Sequence, residues 1–258
     1  MDVIILGCGA AQGVPVWGLS WEKGWGACNP QNPKNKRTRA SIVVKDKTTS
    51  LLIDTSPDLK EQALRQGIRH VDAVLYTHAH ADHAHGINEL EFFARSLDQI
   101  FPAFASEETH RDLSERFRYA FFKRPGSPAH HMPFLSPHVI KGPFSVGDFH
   151  IVPFEQNHGN STTLGFRIGG FAYSTDVVGL DEKAFETLDG VDTWLVDCLR
   201  YEPNFSHAHL DRVLEWINRV HPRRSILTHL NFELDYDVLS QRLPPSVEVA
   251  YDGMVFEV

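Results

Sequence analysis

The chain has 258 residues, of which 42% are hydrophobic and 22% charged, and its formal net charge is −8. This length can bury a sizeable core, whereas the acidic balance argues against a nucleic-acid partner, which needs rows of Lys and Arg. The three cysteines, Cys8, Cys28 and Cys198, form no C-x-x-C pair, so neither disulfides nor a cysteine-built zinc site is expected. The apolar run at the N-terminus is too short for a signal peptide or a membrane span, which predicts a soluble, cytoplasmic protein.

Short apolar runs alternate with amphipathic segments of helical length along the whole chain. A helix is predicted at 57–66, with proline in its first turn and Gly67 after it, and another from Leu210, whose apolar residues recur at helical spacing. Gly169-Gly170 lies between two alternating apolar runs, a pattern typical of a β-hairpin. Because no linker interrupts this order, we expect a single α/β domain over residues 1–258. The predicted strands lie at 2–6, 41–45, 50–54, 73–77, 164–168, 171–175, 193–197 and 225–229.

The segment 106–138 differs in character from the rest of the chain. A helix is predicted to begin at Ser106, and the later stretch RPGSPAHHMPFLSPH contains four prolines and three histidines. Such a stretch forms little regular structure, so the segment is either a lid or substrate-binding insertion or a mobile surface loop. As an insertion, it would place Arg124, His130 and His131 in contact with a phosphate or a sugar.

Histidines cluster where the strand at 73–77 ends, in the sequence HAHADHAH. Alternate side chains of an extended segment share one side, so His78 and His80 can bind one metal ion. Asp82 and His83, at the start of the next helix, can turn toward a second ion. A solvated histidine-rich turn is the alternative interpretation, but the position at a strand end favours a metal site.

The order strand, H-x-H-x-D-H, helix resembles the metallo-β-lactamase superfamily, and this resemblance implies a four-layer αββα sandwich. It also implies further ligands, which this chain offers at His158 in FEQNHG, at Asp176 in FAYSTD and at His229 in SILTH. By the resemblance, two divalent ions bind, with Asp176 between them. Histidine and carboxylate ligands suit Zn²⁺ or Mn²⁺. The first ion would be held by His78, His80 and His158, and the second by Asp82, His83 and His229.

Several segments narrow the resemblance to the PhnP-like phosphoribosyl cyclic phosphate phosphodiesterases: GCGAAQGVP, NKRTRASIVV, LLIDTSPDL, LGFRI, THLN and YDGM. The glycine spacing of the first of these, and Pro15 after it, argue against a dinucleotide-binding turn. The resemblance implies hydrolysis of a small phosphodiester, such as a cyclic ribose phosphate or a nucleotide-like molecule, by a hydroxide that bridges the metals. Many relatives carry a separate structural zinc, which we do not expect here, because only Cys28 remains of its cysteine cluster and Phe232 replaces its histidine.

Other residues receive roles by the same resemblance. His207, which follows the strand ending at Asp197, is the predicted acid for the leaving group and is catalytic together with Asp82 and Asp176. His209 is a candidate substrate contact, and a surface or helix-capping role is the alternative for either histidine. Asp54 resembles the acid that orients a ligating histidine through its other ring nitrogen, but it could instead cap the helix at 57–66.

Competing functions share the fold. They are a lactonase or another carboxylic-ester or thioester hydrolase, a tRNA-processing nuclease, a PqqB-like protein of cofactor biosynthesis, and a nucleotide-binding module without turnover. The intact ligand set favours an enzyme, and the expected partner is a small phosphorylated substrate rather than a membrane or a nucleic acid. The sequence allows a homodimer.

Arg37 and Arg39 are expected to be solvated, with a contact to substrate phosphate as the alternative.

Overall fold

The computed structural model describes residues 1–123, 126 and 132–258, and these residues form two mixed β-sheets of seven strands each. The first sheet has the spatial order β14-β1-β2-β3-β4-β5-β6, formed by β1 (Asp2–Gly7), β2 (Ser41–Lys45), β3 (Ser50–Ile53), β4 (Ala73–Leu75), β5 (Phe101–Ala105), β6 (Leu135–Val139) and β14 (Val255–Glu257). The second has the order β13-β12-β11-β10-β9-β8-β7, formed by β7 (Phe144–Val146), β8 (Phe149–His158), β9 (Ser161–Ile168), β10 (Phe171–Ser174), β11 (Thr193–Asp197), β12 (Arg224–Thr228) and β13 (Val247–Val249).

Helices cover the outer face of each sheet, so the predicted αββα sandwich is confirmed. The helices are α1 (Trp21–Trp25), α2 (Leu59–Gln66), α3 (Ala81–Ala84), α4 (Glu89–Leu97), α5 (Glu107–Arg116), α6 (Arg118–Phe121), α7 (Glu182–Leu188), α8 (Leu210–Val220) and α9 (Tyr236–Ser240). The first sheet packs against α2, α4, α5 and α6, and the second packs against α7, α8 and α9.

Strand β2 shows why the central strands are apolar on both sides. Ile42 and Val44 face the core between the two sheets, whereas Val43 points to the helices on the outer face. Successive side chains of a strand alternate between its faces, so a strand that is buried on both needs an unbroken apolar run. This burial, at about 25 cal/mol per Å² of apolar surface, is the main force that holds the layers together.

The described part of the segment 106–138 forms α5, α6 and β6, which pack with the first sheet. Ser106 caps α5 by accepting a hydrogen bond from the backbone N–H of Thr109 at 3.1 Å, as its sequence predicts. Strand β6 pairs in parallel with β5 at the edge of the first sheet, a position that tolerates Pro137. A lid formed by the intervening stretch stays a prediction, because most of that stretch lies outside the described residues.

Three polar residues leave their strands in the left-handed backbone conformation. Asp54 follows β3, Asp176 follows β10 and His229 follows β12, with φ angles of 64°, 55° and 56°. Residues other than glycine seldom adopt this conformation, which costs on the order of 1–3 kcal/mol and is common at functional sites. The predicted strands had included Asp54 and His229, but the structure ends each strand one residue earlier and redirects the side chain.

Arg37 is buried, so the expectation that it is solvated was wrong. Its guanidinium donates hydrogen bonds to the carbonyl oxygens of Asn231 at 2.9 Å and Leu234 at 2.6 Å. Arg37 thereby holds the segment directly after His229 against the N-terminal part of the chain. Arg39 remains partly exposed and pairs with Asp58 at 2.9 Å.

We predict that Arg37→Met lowers the free energy of unfolding by on the order of 3 kcal/mol, because two buried carbonyl oxygens lose their donors at about 1–3 kcal/mol each. Urea denaturation monitored by tryptophan fluorescence measures the change. Arg39→Met is the matched control, and loss of its partly exposed ion pair should cost less than about 1 kcal/mol. Equal losses in the two variants would contradict the role given to Arg37.

Candidate metal centre

The structure brings the seven predicted metal ligands together at one end of the sandwich. They follow the carboxyl ends of strands in the first sheet and line the corresponding end of the second. Their nitrogen and oxygen atoms form two overlapping groups in which all atoms lie within 4.8 Å of one another. One group contains His78, His80, His158 and Asp176, and the other contains Asp82, His83, Asp176 and His229.

Asp176 belongs to both groups. Its Oδ2 atom lies 3.7 Å from Nε2 of His78 and 3.7 Å from Nε2 of His158. Its Oδ1 atom lies 3.0 Å from Nε2 of His83 and 3.4 Å from Nε2 of His229. The two oxygens of one carboxylate therefore face different groups, which is the arrangement expected of a residue that bridges two cations.

Asp82 completes the second group. Its Oδ2 atom lies 3.2 Å from Nε2 of His83 and 3.5 Å from Nε2 of His229. In the first group, His80 is exposed, and its ring centroid lies 4.5 Å from that of His78 and 5.2 Å from that of His158. One end of the site is thus open to solvent while the other is buried.

The donor atoms fit divalent cations. The Nε2 atoms of His78 and His83 are buried, and within the described ranges neither makes a hydrogen bond of normal geometry, although carboxylate oxygens lie close to Nε2 of His83. A buried polar atom without a partner is costly, and a metal ion coordinated by the free lone pair of a neutral imidazole removes that cost. Histidine nitrogens with carboxylate oxygens are the ligand types that Zn²⁺ and Mn²⁺ accept.

Asp54 orients His83, one of the predicted ligands. Its Oδ2 atom lies 2.8 Å from Nδ1 of His83, and its two oxygens also accept hydrogen bonds from the backbone N–H and the hydroxyl of Thr77. A ligating histidine whose other nitrogen donates to a carboxylate is fixed in ring orientation and tautomer. Asp54 does not have the alternative role of capping the helix that follows, because the N-cap position of α2 is occupied by Asp58, whose side chain makes no capping hydrogen bond.

Backbone and hydroxyl oxygens orient two further histidines. Nδ1 of His158 lies 2.7 Å from the carbonyl oxygen of Ser206, and Nδ1 of His78 lies 3.0 Å from the hydroxyl of Thr77. Because that hydroxyl donates to Asp54, it accepts from His78. Both contacts leave Nε2 directed at the centre.

The electrostatics favour positive charge at the centre of the cluster. Burial lowers the pKa of His83, but the carboxylates of Asp176 and Asp82 more than offset it and raise that pKa well above the ordinary value. At His78, burial and the nearby His83 hold the pKa well below the usual range, which favours the neutral form that binds metal. Divalent cations would supply the charge that the buried carboxylates require.

His207 lies beside the two groups. Its Nδ1 atom is 2.9 Å from Oδ2 of Asp197, its Nε2 atom is 3.8 Å from Oδ2 of Asp176, and 14% of its side chain is exposed. Burial lowers the pKa of His207, but Asp197, through its charge and its hydrogen bond, raises it to about 9. Its ring stacks on that of His229 at 4.8 Å. Nε2 of His207 therefore faces the carboxylate of Asp176, and the raised pKa favours the protonated ring.

Of the four remaining candidate residues, the structure describes one. His209 occupies the N-cap position of α8 and belongs to none of the histidine and carboxylate groups among the described residues. Arg124, His130 and His131 lie outside the described residues. The contact of Ser206 with His158 was not predicted from the sequence. It uses a backbone carbonyl oxygen, which every residue has, so no residue type indicates it.

Comparisons with known proteins agree with this geometry. A model of the β-lactamase superfamily domain matches residues 49–230. The chain is 30% identical over 259 residues to an octanoyltransferase of Porphyromonas gingivalis, covering 98% of this chain and 51% of that protein, so it spans about half the length of this relative.

Two solved structures are similar to the structure of this chain. A diphosphatase from the PhnP family has a TM-score of 0.90 and 29% identity, with 100% of this chain and 97% of that chain covered. The zinc-bound PqqB of Methylobacterium extorquens has a TM-score of 0.73 and 20% identity over both whole chains, which shows a shared fold alone.

The fold and the histidine and carboxylate cluster define a metal-dependent hydrolase. The chain belongs to the β-lactamase superfamily, and within it the chain is PhnP-like. Across the described ranges, no helix is both long enough and apolar enough to span a membrane.

We predict that Asp176→Ala lowers the metal content from two ions per chain to less than one, because both groups lose an oxygen ligand. Metal analysis by mass spectrometry after exhaustive dialysis measures the content. Asp211→Ala, an exposed acid in the first turn of α8, is the control and should keep the full complement. Unchanged metal content in Asp176→Ala would rule out a bridging role.

Proposed function

We propose that this chain hydrolyses a small phosphodiester, such as a cyclic ribose phosphate or a nucleotide-like molecule, with two Mn²⁺ or Zn²⁺ ions bound. The observation that carries the proposal is the Asp197–His207 pair, which presents Nε2 of His207 within 3.8 Å of the carboxylate shared by both groups. Phosphoryl transfer needs cations, a positioned water molecule and a proton donor for the departing oxygen, and in this proposal the histidine and carboxylate groups bind the cations while His207 is the proton donor. The diphosphatase of the PhnP family, similar over its whole length, supports cleavage of a phosphorus–oxygen bond.

When bound, the cations supply the positive charge that polarises the phosphoryl group and activates a water molecule for attack. The other roles belong to the protein. As water adds to phosphorus and releases a proton to solvent, the bond from phosphorus to the leaving oxygen breaks, and Nε2 of His207 gives that oxygen a proton. Asp197 holds the ring through Nδ1 and stabilises its charged form, so that the proton lies on the side of the substrate.

His158 and His207 are positioned by one loop. The carbonyl oxygen of Ser206, the residue before His207, accepts a hydrogen bond from His158, and the two rings lie 4.7 Å apart. The proton donor is therefore fixed relative to a metal ligand by adjacent residues of the chain. Such positioning within a fraction of an ångström is what general-acid catalysis requires.

The octanoyltransferase relative raises acyl chemistry as a competing possibility. The matched region covers only 51% of that protein, so nothing ties octanoyl transfer to the half that this chain resembles. We therefore include an octanoyl thioester in the assay that follows, together with a lactone.

His207→Ala should reduce kcat about 10²–10⁴-fold on a cyclic ribose phosphate, whose alkoxide leaving group needs a proton. The loss should be much smaller on bis(p-nitrophenyl) phosphate, because nitrophenolate leaves without protonation. Steady-state kinetics on the metal-loaded enzyme give both values. His150→Ala, at an exposed position of β8 and outside the histidine and carboxylate groups of the described residues, is the matched control and should be close to wild type on both substrates.

Two outcomes would refute the proposal. One is equal loss of activity on both leaving groups in His207→Ala, which would remove the proton-donor role. The other is efficient hydrolysis of the lactone or the thioester without turnover of any phosphodiester or diphosphate, which would place the enzyme in the carboxylic-ester class.

A further inference from the structure

Helices α5 and α6 hold the outer side of the segment that supplies the H-x-H-x-D-H ligands. Nη1 of Arg116, the last residue of α5, donates a hydrogen bond to the carbonyl oxygen of Ala79 at 2.5 Å. Ala79 is the residue between His78 and His80, so the bond acts on the backbone that spaces these two ligands. We propose that Arg116 is a positioning residue for the metal centre.

A second contact fixes the other end of the same segment. The ring of Phe117 packs edge-on against that of His85, with centroids 5.4 Å apart and an interplanar angle of 83°. Beyond it, the hydroxyl of Tyr119 donates to the side-chain carbonyl of Asn88 at 3.2 Å. Three nearly consecutive residues at the junction of α5 and α6 thus hold residues 79–88 at three points.

His80 depends most on this support. His78 and His83 are buried and are held by Thr77 and Asp54, whereas the side chain of His80 is exposed. Strand β4 ends at Leu75, so sheet hydrogen bonds no longer fix the backbone at this point. The hydrogen bond from Arg116 to Ala79 supplies a fixed point directly before His80.

The charge of Arg116 acts in the opposite direction to its hydrogen bond. A guanidinium near two cations repels them, which alone would weaken metal binding. However, Nη2 of Arg116 lies 3.3 Å from Asp112 in the preceding turn, and 42% of the side chain is exposed, so solvent and the ion pair screen the repulsion. We therefore expect the positioning effect to exceed the repulsion.

The inference rests on the proposed metal centre but not on the identity of the substrate. In the experiment, zinc-loaded enzyme is titrated with a zinc-selective chelating dye, and the zinc released is measured at equilibrium for wild type, Arg116→Gln and Arg116→Lys. Removing groups that orient metal ligands typically weakens metal binding about 10–100-fold, which is the loss expected for Arg116→Gln. Arg116→Lys keeps a charged donor and should recover most of the affinity.

Arg95→Gln is the matched control. Arg95 pairs with Glu91 one turn away on α4 and is 43% exposed, so its loss removes the same kind of surface ion pair without touching Ala79. Its zinc affinity should equal that of wild type. Thermal melting of each metal-free variant reports separately whether the fold is retained.

Zinc affinity in Arg116→Gln that equals or exceeds that of Arg95→Gln would overturn the inference. It would also be overturned if Arg116→Lys bound zinc as weakly as Arg116→Gln, because the donor would then be irrelevant. A wild-type enzyme that binds no zinc or manganese would instead refute the metal centre itself, so the two failures are distinguishable.

Discussion

The concentration of buried negative charge at one end of the sandwich governs the rest of the site. Asp54, Asp82 and Asp176 all lie within contact of His83, and all three are buried. Buried carboxylates are costly unless they meet positive charge and hydrogen-bond donors. The histidine ring nitrogens, the donors from Thr77 and the left-handed backbone at Asp54 and Asp176 all serve to place such partners around them.

Much of this architecture could be predicted from the sequence. The apolar runs predicted most of the strands, because central strands buried on both faces have no room for polar residues. The candidate ligands could be predicted because four of them lie in one short segment and the others lie at or after strand ends. The contacts that orient these side chains were harder to predict: the sequence left Asp54 two possible roles, and its 2.8 Å contact with Nδ1 of His83 distinguishes them.

The burial of Arg37 is an example of a feature that could not be predicted from the sequence. An arginine is usually exposed, and nothing in NKRTRAS distinguishes Arg37 from Arg39. The difference arises from residues about 200 positions later, whose carbonyl oxygens surround one guanidinium and not the other. Arg116 is similar, because its partner Ala79 contributes only a backbone oxygen, which every residue possesses.

The candidate metal ligands come from both sheets. His78, His80, Asp82 and His83 follow the first sheet, whereas His158, Asp176 and His229 come from the second. Cations bound between them would act as a cross-link between the two halves of the sequence, in the way a disulfide joins distant segments. Each group contains residues from both halves, so binding of the ions would require that the two sheets are correctly packed against each other.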